Sequence, residues 1–366
     1  MMLLWVVWIF TLWRLVASLL NLWASKKLAR QSCRSEGAGS VSILIPARNE
    51  GLRLGTLLED LLPLINEAPD RVEVLVYDDV SQDDTADLVR RYAARQSSIR
   101  LLSGGALPEG WLGKNYACHC LALEAQMEYF LFLDADVRMD PEGVWSALHE
   151  AKQKGLSLLS VFPVQMCETR GERWTVPILQ WVLYSLLPLP FVQWSSWLSF
   201  SAANGQCMLF DASTYARLQP HACVKKNAVE DLAIAHFYKR QKQRIACLPS
   251  DGRVRCRMYT HTDEALIGFS KNVFEWFGGS KVAAVLFWMW GWLVPLWMLF
   301  LVDPFYLLIY LLVVMGMRIF VSLTAKKRWF DFLVWMLPQQ WMLARILWNG
   351  WKRRKQKRVV WKGRAV

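Results

Sequence analysis

No two of the eight cysteines, Cys33, Cys118, Cys120, Cys167, Cys207, Cys223, Cys247 and Cys256, form a C-x-x-C pair. Their spacing argues against a zinc site and against a disulfide framework, leaving reduced, buried thiols of the cytosol. No G-x-G-x-x-G follows the first apolar strand, and no G-x-x-x-x-G-K-[ST] occurs. A dinucleotide-binding unit and a phosphate-binding P-loop therefore lose their signal. Acidic residues are missing from the tail "KRRKQKRVVWKGR" (Lys352–Arg364), which holds eight basic ones and most of the net charge of +12. Beside so many apolar segments, such a tail favours anionic lipid over nucleic acid. Each basic residue near a cytoplasmic leaflet gains about 1 kcal/mol.

What the chain has in quantity is apolar surface. Of its 366 residues 54% are hydrophobic, with 21 Trp, yet 20% are charged. This mixture fits a water-facing domain joined to membrane segments. Residues 1–25 read as an anchor: Met1–Trp23 is apolar apart from Arg14 and Asn21, long enough to span, and lacks a small-residue cleavage site. Lys26, Lys27, Arg30 and Arg34 follow, so the next domain is expected in the cytosol. Residues 282–325 read as a pair of spans. Val282–Val302 carries no charge, Asp303-Pro304 turns, and Phe305–Leu323 returns with only Arg318, before Lys326, Lys327 and Arg328. Residues 329–351 have basic clusters at both ends. They are expected to form re-entrant or interfacial helices bent at Pro338 rather than a fourth crossing, with 352–366 as a basic cytosolic tail. Trp174–Phe200 is apolar but holds Pro177, Pro188 and Pro190. It reads either as a core helix pair or as a membrane-dipping segment that meets a lipid.

Residues 40–278 have another rhythm. "VSILIP" (Val41–Pro46), "VEVLVY" (Val72–Tyr77), "IRLLS" (Ile99–Ser103) and "YFLFLD" (Tyr129–Asp134) read as strands. Arg53–Glu67, Asp84–Arg95 and Gly113–Met127 read as helices between them. The alternation predicts an α/β fold with a mostly parallel sheet, whose ligands bind beyond the carboxyl ends of the strands. Those ends are polar: "PARNEG", then "DDVSQDD", then "DAD". Two carboxylates one residue apart, Asp134 and Asp136, are costly unless a cation or ligand neutralises them. A carboxylate-lined site suits a hard divalent cation holding a diphosphate, and also hydrogen bonds to a nucleobase and ribose. A nucleotide-diphosphate sugar needs both.

"ILIPARNE", "YDDVSQDD", "LDAD" and "VED" occur in the order and spacing of the family 2 inverting glycosyltransferases of the GT-A fold, and Val41–Lys271 resembles that family. "LPEGWLGKNYAC" (Leu107–Cys118) and "VVWKGR" (Val359–Arg364) narrow the likeness. They resemble the membrane-bound branch that includes the bacterial carotenoid-acid (4,4'-diaponeurosporenoate) glycosyltransferases.

The resemblance implies roles that chemistry can check. Asp79 matches the carboxylate that binds the uracil ring, with Asp78 on the ribose side and Pro46, Ala47 and Glu50 lining the same pocket. The usual D-D-G-S is here Asp78-Asp79-Val80-Ser81, and loss of the glycine removes backbone freedom, so a differently shaped loop is expected. Lys114, at a helix start, suits a diphosphate. Asp134 and Asp136 would share Mg²⁺ or Mn²⁺, with Asp136 the direct ligand, and His261 would either complete the metal shell, bind phosphate or be structural. Asp231 of the Glu230-Asp231 pair, before a helix expected over Leu232–Gln243, matches the general base. Lys271 is a further diphosphate candidate. The Q-x-x-R-W motif of the processive synthases is absent where "GFSKNVF" stands, which argues for transfer of a single sugar.

The reading is a plasma-membrane, multi-pass hexosyltransferase. It would move one sugar, glucose from UDP-glucose on the branch likeness, to a carotenoid acid or related isoprenoid. An alternative acceptor is a polyprenyl phosphate, for which Lys225 and Lys226 would supply positive charge. A non-catalytic scaffold conflicts with the complete set of carboxylates, and a transporter with the small number of spans.

Overall fold

The computed structural model describes residues 2–26, 37, 39–356, 360–361 and 364–365. Lys27, Arg30, Arg34, Cys33 and part of the basic tail lie outside them. The chain divides into two compact units that cut across the expected 40–278 span. One is Ser25–Val164 with Pro190–Cys256; the other is Met1–Ala24, Gln165–Leu189 and Arg257–Ala365.

The first unit is an α/β layer structure. Strand β1 (Val41–Ala47) is followed by α2 (Gly51–Glu67), β2 (Val72–Asp78), α3 (Thr85–Ala93), β3 (Ile99–Ser103), α4 (Gly113–Glu124) and β4 (Tyr129–Leu133). Then come β5 (Val137–Met139), α5 (Pro141–Lys154), β6 (Leu158–Phe162) and the two-residue β7 (Val164–Gln165) where the chain leaves the unit. It re-enters through α8 (Pro190–Trp194), β8 (Cys207–Asp211), α9 (Ala212–Leu218), α10 (Pro220–Cys223), α11 (Glu230–Arg240), β9 (Ile245–Pro249) and β10 (Val254–Cys256). The main sheet has the order β3-β2-β1-β4-β8-β6-β9. All its pairs are parallel except those of β8, which runs antiparallel between β4 and β6. The continuous apolar runs of β1 and β2 suit strands covered on both faces. Leu54, Leu57, Leu58, Leu61 and Leu64 give α2 one buried stripe against them. Strands β2 and β3 lie on one side of β1 and β4 on the other, so the order reverses at β1/β4. Ligands of open α/β sheets bind outside the strand ends at such a switch point.

The second unit is helical: α1 (Met2–Ala24), α6 (Arg170–Thr175), α7 (Pro177–Leu186), α12 (Thr262–Asn272), α13 (Lys281–Leu301), α14 (Pro304–Thr324), α15 (Asp331–Val334) and α16 (Met336–Gln356). Helices α1, α13 and α14 are long and apolar enough to cross a membrane, with mean hydropathies of 2.0, 1.8 and 2.2. The apolar stretch Trp174–Phe200 is not one element. Helix α7 packs against α1 and α14, whereas α8 belongs to the α/β unit. Nor does the chain bend at Pro338. The break falls at Trp335, and Pro338 sits in the first turn of α16, where a missing N–H costs nothing. Helix α16 also runs past residue 351 to Gln356, into what the sequence reads as tail.

Candidate active site

The strand ends at the switch point gather the expected pocket residues. Ala47 lies opposite Asp78 across β1 and β2, with Pro46 one place earlier. The Asp79 N–H donates to the Ala47 carbonyl at 2.9 Å, and Gly104 N–H donates to the Asp78 carbonyl at 2.8 Å. Arg48, which the motif reading passed over, donates to the Asp79 carbonyl at 2.6 Å and pairs with its carboxylate at 3.4 Å. Asp78 accepts from the Ser81 N–H at 3.2 Å. Val80 between them has φ of +54°, in the left-handed region that glycine enters freely and a β-branched side chain resists. Glu50 N–H donates to Thr85 Oγ1 at 2.9 Å, and its carboxylate lies 3.8 Å from Arg53.

A second cluster forms where α4 and α11 begin. Lys114 Nζ lies 2.8 Å from Asp134 and 2.9 Å from Glu230. Burial alone would lower its pKa, but the two carboxylates hold it well above the usual lysine value. Asn115 fixes the start of α4: its amide nitrogen lies 3.1, 3.3 and 3.1 Å from the carbonyls of Val224, Lys225 and Asn227. Glu230 and Asp231 fall inside the first turn of α11 rather than before it, where the helix dipole favours negative charge. Asp231 accepts from Gly205 N–H at 3.0 Å and from Leu232 N–H at 2.7 Å. Burial and the adjacent Glu230 push its pKa up to about 6, against the opposing pull of those hydrogen bonds and Lys114. Gly205 is a site residue that the motifs do not reveal. A Cβ there would stand 3.1 Å from Glu230 and 3.3 Å from Lys114, so its smallness lets the cluster close. The one available signal is a lone glycine in "AANGQC", just ahead of β8.

Asp136 follows β4. Its Oδ1 is buried and has no hydrogen-bond partner among the described residues. Burial, then the charges of Asp134 and Glu50, push its pKa up to about 7, while Arg53 and the Cys256 thiol pull the other way. Gln206 in turn donates to Cys256 Sγ at 2.9 Å. A buried carboxylate oxygen without a donor, beside further carboxylates, fits a hard divalent cation. Among the described residues, however, no three His, Cys, Asp or Glu side chains form a ready metal cage. His261 is the N-cap residue of α12 and Lys271 lies in its last turn, both in the helical unit. Burial and the nearby Arg353 lower the Lys271 pKa.

Residues 42–199 match the family described as Glycosyl transferase family 2. That stretch of the chain is similar to a family 2 glycosyltransferase domain. Among curated proteins, the chain is similar to the 4,4'-diaponeurosporenoate glycosyltransferase of Staphylococcus haemolyticus. The two are 27% identical over 65% of this chain and 62% of that one. The Staphylococcus aureus protein of the same name is 26% identical over 69% of this chain and 66% of its own. The alignments thus span less than two thirds of these relatives' length. Among solved structures, the mannosyltransferase PcManGT of Pyrobaculum calidifontis, in complex with GDP-Man and Mn²⁺, aligns with a TM-score of 0.56. That alignment covers 95% of this chain and 99% of that one at 15% identity. The likeness shows the fold, a GT-A type architecture with a mostly parallel sheet.

Proposed function

We propose that the protein is a membrane-bound hexosyltransferase that moves one sugar, with inversion, from a nucleotide-diphosphate donor to a lipid-soluble acceptor. One observation carries this reading: Lys114 joins Asp134 to Glu230 beside Asp231, whose carboxylate is fixed by the Gly205 N–H. The nucleoside belongs at Pro46, Ala47, Glu50, Asp78 and Asp79. The acceptor hydroxyl gives its proton to Asp231, largely ionised at neutral pH with a pKa of about 6. The oxygen then bonds to the anomeric carbon as the bond from that carbon to the phosphate oxygen breaks. Lys114 takes up the charge growing on the departing nucleoside diphosphate. Asp134 and Asp136 would hold a divalent cation, Mg²⁺ or Mn²⁺, which would supply Lewis-acid stabilisation of that leaving group. If the acceptor is a carboxylate it arrives ionised, and Asp231 matters less.

A carotenoid acid as acceptor rests on the names of the curated relatives, and UDP-glucose as donor on the likeness of the motifs to that branch. Membrane attachment rests on α1, α13 and α14, and the cytosolic placement of the catalytic unit on Lys26 and on Lys326, Lys327 and Arg328. Lys225, 5.8 Å from the Trp111 ring, and Lys226, beside Gly110, flank the approach to α4 and favour a polyprenyl phosphate as second acceptor.

The test is transfer of radiolabel from UDP-glucose, with Mn²⁺, into the organic phase by the detergent-purified protein given a bacterial lipid extract. Label that disappears in Asp136→Ala supports the reading, and release by mild alkali identifies an ester on a carboxyl acceptor. Acid-labile, alkali-stable product identifies a polyprenyl phosphate. No label from any nucleotide sugar, with acceptor lipids from several sources, removes the catalytic reading.

A further inference from the structure

On the α/β unit the exposed large apolar side chains cluster at one place. Among its described residues, those exposed are Leu52, Val80, Leu123, Trp194, Trp197 and Leu198. The first three are scattered, while the last three, including both exposed aromatics, fall within five consecutive positions. Trp194 is 54% exposed and Trp197 70%. An exposed pair of tryptophans, one ending α8 and one in the loop after it, is an unusual exposure of apolar surface. These rings are nevertheless not free to collapse. Phe191 packs edge-on against Phe200 at 5.1 Å, Trp197 stacks on Phe200 at 6.2 Å, and Phe191 meets Trp194 at 5.9 Å. Beneath them the buried ammonium of Lys239 donates to the carbonyls of Ser195, Trp197 and Phe200 at 2.9, 3.2 and 2.7 Å. A buried charge spent on three loop carbonyls holds the backbone in one shape.

The loop is tied twice to the proposed base. Lys239 sits on α11, the helix whose first turn carries Glu230 and Asp231, about 12 Å along the axis from Asp231. The chain also runs on from Phe200 through Ser201, Ala202, Ala203 and Asn204 to Gly205, whose N–H holds Asp231. An acceptor that presents its oxygen to Asp231 has this loop, linked to the same helix and to Gly205, as an aromatic surface for its hydrocarbon chain.

Resting on the proposed function, we propose that Trp194, Trp197 and Leu198 form the subsite for the isoprenoid chain of the acceptor, with Lys239 as the positioning residue that keeps it open. Flat aromatic rings on a fixed backbone suit a stiff, unsaturated chain, because little side-chain freedom is lost on binding.

The experiment uses the detergent-purified full chain and a geranylgeranyl-length isoprenoid carboxylic acid bearing a diazirine at its chain end. Photolysis should label the 191–200 peptide, and the Trp194→Ala/Trp197→Ala double variant should lose most of that label. In kinetics, the double variant should raise KM for a long-chain acceptor about tenfold while leaving KM for the nucleotide sugar and for a short, water-soluble acceptor unchanged. Lys239→Met, checked for unchanged thermal stability, should reproduce the acceptor effect without removing either ring. Label that avoids the loop, or equal losses on long and short acceptors, overturns the proposal. So does labelling of the loop by a diazirine phosphatidylcholine in vesicles but not by the acid, which would make it a bilayer contact. Failure of all sugar transfer would count against the proposed function alone, since the labelling result stands on its own.

Discussion

The ammonium of Lys114 lies 2.8 Å from the carboxylate of Asp134. Asp134 ends the strand whose motif promises a metal, and Lys114 opens the helix whose start promises a diphosphate, so the two expectations meet in one ion pair. The lysine also reaches Glu230, so it holds three elements of the site together. Lys114→Met leaves Asp134 and Glu230 without their shared cation and removes the charge proposed for the leaving group. We expect kcat to fall by about 10²–10³, as for loss of one preorganised electrostatic donor. Mn²⁺ affinity should be kept or raised, because a competitor for Asp134 is gone. Calorimetric Mn²⁺ binding beside steady-state kinetics checks both; loss of metal binding together with activity would assign Lys114 to the fold instead.

Acidity should limit the enzyme from one side. Asp231 and Asp136 have pKa values pushed up to about 6 and about 7, by burial first and neighbouring carboxylates second. Both are proposed to act ionised, so kcat/KM should climb steeply up to pH 6 and level off above 7. Stability of the empty protein should move the opposite way. A carboxylate whose pKa is raised on folding contributes stability that is complete below the unfolded value, about 3.9, and is lost as pH rises through the folded value. The thermal shift given by Mn²⁺ should therefore be larger at pH 8 than at pH 5.5. A shift independent of pH would place the ion elsewhere.

Two strand ends of this site are legible in the sequence because their continuous apolar runs stop at carboxylates, in "VLVYDD" and "LFLDAD". The inner strand β8 is not, since "CMLFD" carries no mark of its antiparallel insertion between β4 and β6. Gly205 is equally silent: its worth lies in the space it leaves beside Glu230 and Lys114, and that depends on residues far away in sequence. The apolar stretch Trp174–Phe200 offers two readings because hydropathy cannot tell which half packs on helices and which on a sheet. The change from glycine to Val80 was expected to reshape its loop; what the structure holds there is a left-handed valine.

That valine gives a stability prediction. A β-branched residue at φ of +54° costs about 1–2 kcal/mol, and Val80 is 48% exposed, so little packing offsets the strain. Val80→Gly removes the strain but adds about 0.5–1 kcal/mol of unfolded-chain entropy. The net expectation is a gain of about 0.5–1 kcal/mol by denaturant unfolding of the detergent-solubilised protein. A loss of that size would mean that the Val80 side chain contributes contacts outweighing its backbone strain.

Helix α1 offers a sharper test of how the apolar unit is held. Asn21 is fully buried and closes the C-terminal end of α7: its amide donates to the carbonyls of Tyr184 and Leu187 at 2.9 and 2.8 Å, and its oxygen accepts from Leu189 N–H at 2.7 Å. Two residues that a hydropathy scan counts as blemishes in an anchor, Arg14 and Asn21, are thus its working contacts. Arg14 donates to Ser185 at 3.2 Å and lies 4.8 Å from the Trp181 ring. In surroundings this apolar, the freed backbone groups find no water. Asn21→Leu should cost about 2–3 kcal/mol, the penalty of stranding buried polar groups. Thr11→Ala, which removes only a bond to Val7 within the same helix, should cost under about 1 kcal/mol. If Asn21→Leu unfolds at the same denaturant concentration as the parent, α1 is a membrane anchor that α7 does not need.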